Sequence, residues 1–251
     1  MNHILRGRAP LYHHASMVWV VALPLLFILF LGCREEFSSS PAREPVNLEF
    51  MFPLNSYYTF DNWKLSPGGS RLSASQFRTS LTVVDTGSVA IGFPGVTILI
   101  DSTFARDVRG VDSLVQARYR YFRTTPDGDL FEFGFIARLF EQRDTVTVNP
   151  RWDKLLSPST ETNAYWIVET GDPSTVGTIS ARFLPGLETV RDSINGVSLG
   201  VLAYHVEITG RDLSLGLWVG GSPPAFLRFR DQSDVLYNRI FQELRFRRVI
   251  G

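Results

Sequence analysis

One thiol, one histidine in the body of the chain, a scatter of carboxylates and a late run of arginines are the side chains here that could do chemistry. Cys33 is the single cysteine, so no disulfide can form within one copy. It closes the apolar stretch MVWVVALPLLFILFLG at residues 17–32, which Arg6 and Arg8 precede. A basic start, an apolar run and a small residue at the end are the parts of an export signal. The run falls short of the roughly 20 residues that a spanning helix needs, and Pro24 interrupts it. Removing residues 1–32 takes away His3, His13 and His14 and leaves His205 alone. Zinc needs three or four ligands, so neither a metal nor another cofactor is expected. His205 sits in AYHVEIT, where alternation puts it with Glu207 on the exposed side of a strand, a poor place for a catalytic triad. No HExxH, GxSxG, phosphate-binding loop or dinucleotide fingerprint occurs in a suitable setting.

Asp85, Asp101, Asp107 and Asp112 are spread over what reads as strand ends and loops, where acidic side chains usually cap backbone donors. DSTFARDVRGVD lacks the oxygen spacing of a calcium loop. No catalytic residue is assigned, and the chain is expected to be a non-enzyme. Binding has two candidate sources. The run Arg228, Arg230, Arg239, Arg245, Arg247 and Arg248 would set several guanidiniums on one sheet face. Of these, Arg228, Arg230, Arg245 and Arg247 are the candidates for meeting a phosphate, a carboxylate or an acidic partner. Asp231, Asp234 and Glu243 lie close enough to offset that field, which makes a solvated face the competing account. Tyr57, Tyr58, Phe60, Trp63, Trp152, Trp166 and Trp218 could line a glycan or lipid groove, or fill a core.

The elements that must position these residues are strands. Phe, Tyr, Val, Thr and Gly are abundant, and helical runs of Ala, Leu, Lys and Glu are missing. Leu48, Phe50 and Phe52 alternate as in a strand, and Gln76–Val84 reads as another. Asp85-Thr86-Gly87 looks like a turn, and residues 88–100 like two strands joined at Phe93-Pro94-Gly95. In QARYRYFRT, Ala117, Tyr119 and Tyr121 share one face and Arg118 and Arg120 the other. TPDG then turns the chain into DLFEFGFIARLF, where Phe131, Phe133 and Phe135 would cover a core. Residues 150–160 suggest a helical turn carrying Trp152, Leu155 and Leu156. Further strands fall at 164–170, 178–183, 201–209, 213–221, 226–230 and 241–250, with a short helix as the other reading of 234–242. Ten to thirteen strands with short links imply a mainly β fold: an antiparallel, strongly curved sheet, or a two-sheet sandwich or partial barrel, with at most short helices. The domain expectation is a signal at 1–32, an anchor and tether at 33–46, and one antiparallel β domain at 47–251.

FLGC resembles the lipobox of bacterial lipoproteins, with Cys33 as the acylated residue and Gly32 before the cut. That resemblance implies an envelope protein held by membrane lipid through Cys33 and delivered by the lipoprotein export machinery. Several acyl chains give a stable anchor where one alone is reversible. Arg34 after the cysteine, in place of the Asp of inner-membrane retention, implies the outer membrane. Phe52-Pro53-Leu54 with Tyr57, Tyr58 and Phe60 resembles the opening of bacterial surface lipoproteins, and VTILIDS and ELRFRRVI are similar in kind. The region after the signal holds 23 basic and 25 acidic side chains, which gives no charge basis for binding nucleic acid. The leading functional reading is a non-enzymatic anchored protein that binds an envelope protein, glycan or lipid at the membrane surface. The alternative is a lipid or lipoprotein carrier, whose concave face would be lined by Phe131, Phe133 and Phe135 without an opposing layer. An envelope hydrolase using loop carboxylates is the remaining class.

Overall fold

The computed structural model describes residue 43 and residues 47–107, 109–141, 148–170, 177–211, 213–220, 225–231 and 240–248. The signal, Cys33, most of the tether and residues 232–239 lie outside the described residues. Among the described residues no helix is long and apolar enough to cross a membrane.

The described residues form one thirteen-stranded sheet. Its strands are β1 (Tyr57–Lys64), β2 (Phe77–Ala90), β3 (Phe93–Arg106), β4 (Asp112–Thr124), β5 (Leu130–Phe133), β6 (Trp152–Leu156) and β7 (Tyr165–Thr170). They continue as β8 (Thr178–Phe183), β9 (Glu188–Ile194), β10 (Val197–Gly210), β11 (Leu213–Gly220), β12 (Ala225–Asp231) and β13 (Ile240–Arg248). The spatial order is β6-β5-β4-β3-β2-β1-β13-β12-β11-β10-β8-β7. Neighbours along this path are antiparallel, as short links between consecutive strands favour. The sheet curls until its outer strands meet, where the Trp166 indole N–H donates to the Lys154 carbonyl at 3.2 Å. The result is a nearly closed barrel whose seam between β6 and β7 is held by side chains.

The registers define two ends. Tyr57 pairs with Thr82 and Arg248, Thr97 with Phe122, Thr124 with Leu130, and Ala203 with Gly220; these residues mark the Tyr57 end. The helix α1 (Leu48–Met51) leads into that end, with Met51 and Phe52 buried and the Tyr58 hydroxyl donating to the Met51 carbonyl at 2.5 Å. The helix α2 (Phe135–Phe140) follows β5 at the opposite, Lys64 end. Gly134, at φ +70°, makes the turn from strand to helix, and a Cβ there would press on Pro150 at 3.3 Å.

Several local expectations are corrected. Residues 48–51 are helical, and residues 152–156 form a strand. Asp85-Thr86-Gly87 lies in a series of bulges within β2, with Gly87 at φ +77°, and the chain reverses later, at Ile91-Gly92. The largest correction is in the central hairpin. Leu130 and Glu132 are fully buried, whereas Phe131 and Phe133 face the outer wall and Phe135 lies on α2. The outer rings have their own cover. Arg123 lies over Phe93, Phe131 and Trp152, at 4.3, 5.0 and 4.9 Å from their centroids, and Phe133 meets Trp152 edge-on at 5.5 Å. Aromatic rings packed around a guanidinium gain shelter without entering the core.

Candidate functional site: a polar chamber in the barrel

Inward residues grade from apolar to charged between the two ends. Phe60, Leu81, Leu99, Phe122 and Leu244 form a dry layer nearer the Tyr57 end. The next inward positions are Asn62, Thr79, Asp101, Arg120 and Gln242. Asn62, Thr79 and Gln242 bond one another, and Asn62 also donates to the Phe60 carbonyl at 3.2 Å. Gln242 donates to Asn62 Oδ1 at 2.9 Å and to the Thr79 hydroxyl at 3.1 Å, and Asn62 donates to that hydroxyl at 3.2 Å. A cavity of about 220 Å³ opens here, walled also by Phe77, Thr103, Gln116, Arg118 and the Phe135, Arg138 and Leu139 side of α2.

Charge in this chamber is concentrated, and all but Arg118 of its charged residues are well sheltered. Arg120 makes a bidentate bond to Glu132 at 2.7 and 2.8 Å, and Arg138 bonds the same carboxylate. Asp101 faces Arg118 and Arg120, each at 3.7 Å. Burial on its own would raise the Glu132 pKa, but the two guanidiniums override it and hold the carboxyl at about 2. Burial likewise pushes the Arg118 guanidinium down, and Arg138 nearby adds to that. Three guanidiniums face two sheltered carboxylates. The third acid in contact, Glu141, meets Arg118 at 3.5 Å but is 67% exposed. The chamber wall thus holds Arg118, Arg120 and Arg138 beside Asp101, with Glu132 and Glu141 as their further partners.

A second cavity of about 40 Å³ lies deeper, against Phe60, Leu81, Leu155, Leu217 and Phe226. Arg120, Phe135 and Gln242 line both spaces and Arg228 the second, so Phe135 stands between a charged chamber and a mainly apolar pocket that two guanidiniums border.

Of the residues singled out in the sequence, Arg228 and Phe60 line the second cavity and Asp101 the first, and Arg230 and Arg245 lie outside both. Arg228 bonds Glu243 at 2.8 Å and pairs in register with Trp218, whose indole donates to Glu188 at 2.6 Å. Arg230 donates to the Gly69 carbonyl at 3.1 Å, and Arg245 lies 3.6 Å from Asp61. The side chain of Arg247 lies outside the described residues, as does that of Cys33. His205 stacks on Trp218 at 4.0 Å between centroids, with Nδ1 3.0 Å from Glu188. Asp107 caps the backbone N–H groups of Arg109 and Val111, Asp85 accepts from Ser88, and Asp112 holds Arg78 and Arg106. Asp101 departs from the loop expectation: it is a buried residue in mid-strand. From the sequence, Glu132 falls on the face opposite Phe131 and Phe133, and neither it nor Arg138 stands out as a site residue. The available signal was a pair of opposite charges, Arg120 and Glu132, within one hairpin at positions that its register places on one face. Among the described residues no group of three or more His, Cys, Asp or Glu could hold a metal ion.

No family model and no curated protein matches the chain. A crystal structure of a "putative lipoprotein" from Parabacteroides distasonis is similar, with a TM-score of 0.41 and 9% sequence identity, over 79% of this chain and 97% of that one.

Proposed function

We propose that this is a non-enzymatic, lipid-anchored envelope protein whose barrel binds and carries an amphiphile with an anionic head, a lipid or other acyl compound. The observation that carries the reading is the graded lumen: a guanidinium-rich chamber that shares Phe135 with a smaller, mainly apolar pocket. The head would rest against Arg118 and Arg138, and the apolar part would reach past Phe135 toward Phe60 and Leu217. Arg120 makes a bidentate bond to Glu132 and Arg138 a single one, so Arg120 shapes the chamber while Arg138 keeps donors that a head group could take. The carrier reading thus rests on an enclosed lumen, not on an open sheet of Phe131 and Phe133. The chamber is smaller than the 300–1,000 Å³ usual for drug-sized ligands, which fits a head group and a short stretch of chain. Anchoring at Cys33 and an outer-membrane address belong to this proposal.

The test is calorimetry on the full chain in nanodiscs, with octanoate against octylammonium. Octanoate should bind, octylammonium should not, and Arg118→Gln should weaken the octanoate signal. Equal binding of both ions, or no loss with Arg118→Gln, would overturn the assignment.

A further inference from the structure

One arc of the chamber wall is neutral, and its hydrogen bonds decide which atoms it has left to offer. The arc is Asn62 of β1, Thr79 of β2 and Gln242 of β13, all lining the larger cavity, with Asn62 and Thr79 buried. The Asn62 amide nitrogen faces the Phe60 carbonyl at 3.2 Å, the Phe77 carbonyl at 3.4 Å and the Thr79 hydroxyl at 3.2 Å. Two carbonyls can meet only a donor, so the nitrogen belongs on that side and Oδ1 is turned toward Gln242. An acceptor there must in turn meet an N–H. Gln242 Nε2 therefore takes that contact at 2.9 Å, and it reaches the Thr79 hydroxyl at 3.1 Å.

Two capacities remain. The Thr79 oxygen accepts from both amides, which fills its lone pairs and leaves its own hydrogen to donate. The Gln242 amide nitrogen is spent within the arc, and its Oε1 has no hydrogen-bond partner among the described residues. Gln242 also lines the smaller, mainly apolar pocket, so this donor and acceptor lie where the two spaces share a wall. They belong to groups 3.1 Å apart, close enough for one hydroxyl to serve both: its oxygen accepts from Thr79 and its hydrogen goes to Gln242 Oε1. A carboxylate has no hydrogen to give, and a methylene would leave a sheltered donor and acceptor unpaired.

From this we infer that the guest is a hydroxy acid, whose hydroxyl, on a carbon close to the carboxylate, is read by Thr79 and Gln242. The inference rests on the carrier reading above and adds the group that its guest bears between head and chain. Arg118 and Arg138 select the charge, and the neutral arc selects the hydroxyl. An ion contact together with two fixed hydrogen bonds also selects one hand of the guest, because mirror images cannot satisfy all three.

The test is calorimetry on the full chain in nanodiscs, with empty nanodiscs subtracted. It compares octanoate with 2- and 3-hydroxyoctanoate, each as its separate enantiomers, which enter lipid alike. One enantiomer of one hydroxy acid should bind about tenfold tighter than octanoate, as two hydrogen bonds of ordinary net strength allow, and its mirror image no better than octanoate. Thr79→Val, which keeps the shape and removes the hydroxyl, should bring that enantiomer level with octanoate and leave octanoate itself unchanged. Octanoate binding that no hydroxy acid exceeds, a preference equal for both hands, or one that survives Thr79→Val would overturn the hydroxyl assignment and leave the carrier reading standing. No binding by any of these acids would overturn both. Should Thr79→Val not fold, the enantiomer ratio on the unaltered protein decides.

Discussion

Replacing Glu132 by Gln is the most searching perturbation of the chamber. Glu132 is fully buried and receives both Arg120 and Arg138, so the amide takes from both their shared carboxylate and leaves Arg120 with Asp101 at 3.7 Å. Removing one member of a buried ion pair costs about 3–5 kcal/mol, because the remaining charge is uncompensated. The wild-type protein carries a further signature in acid. Its Glu132 pKa is depressed from 4.5 to about 2, so its contribution is complete above the unfolded value and is lost as pH falls toward the folded one. Linkage puts that loss at about 3 kcal/mol between pH 4.5 and pH 2. Urea unfolding across a pH series measures both effects. Glu132→Gln should be less stable near neutrality, and the gap to wild type should narrow by about 3 kcal/mol on acidification. Parallel stability curves would refute the reasoning. Should the variant not fold, Arg120→Met, Glu132→Met and Arg138→Leu together remove all three charges. That triple variant should fold with most of its stability and without this acid step.

Two other outcomes follow from packing. Trp166→Phe removes the indole bond across the seam, worth about 1 kcal/mol. Hydrogen exchange should then quicken in β6 and β7 and hardly change in β2 and β3; uniform protection would count against a side-chain clasp. Gly216→Ala would place a methyl 2.7 Å from the Trp218 ring and 2.9 Å from His205 Nε2. It should lower stability by about 1–3 kcal/mol and alter tryptophan emission, whereas unchanged melting would refute the close approach.

The strands were legible because β-branched and aromatic residues alternate at period two and the turns are marked by Gly, Pro and Asn. The faces were less so. Reading Phe131 and Phe133 as inward assumes that rings go in and charges go out. Here a neutralising contact between Arg120 and Glu132 lets charge go in, and the Arg123 stack with Phe93 and Trp152 lets rings stay out. Neither can be weighed until the register brings residues far apart in sequence together. Arg138 lay further out of reach, because nothing local says that the strand through Phe133 ends at Gly134 and a helix begins. Pro150, the residue that a Cβ on Gly134 would strike, lies sixteen positions later.

A cylinder whose seam is crossed by an indole-to-carbonyl bond and not by a backbone ladder has a circumference that strand count does not fix. Parting β6 from β7 would widen the lumen while every other ladder along the wall stayed zipped. Loading a bulky guest would then be governed by a local opening and not by global unfolding, so uptake rate and melting temperature could vary independently from one variant to the next.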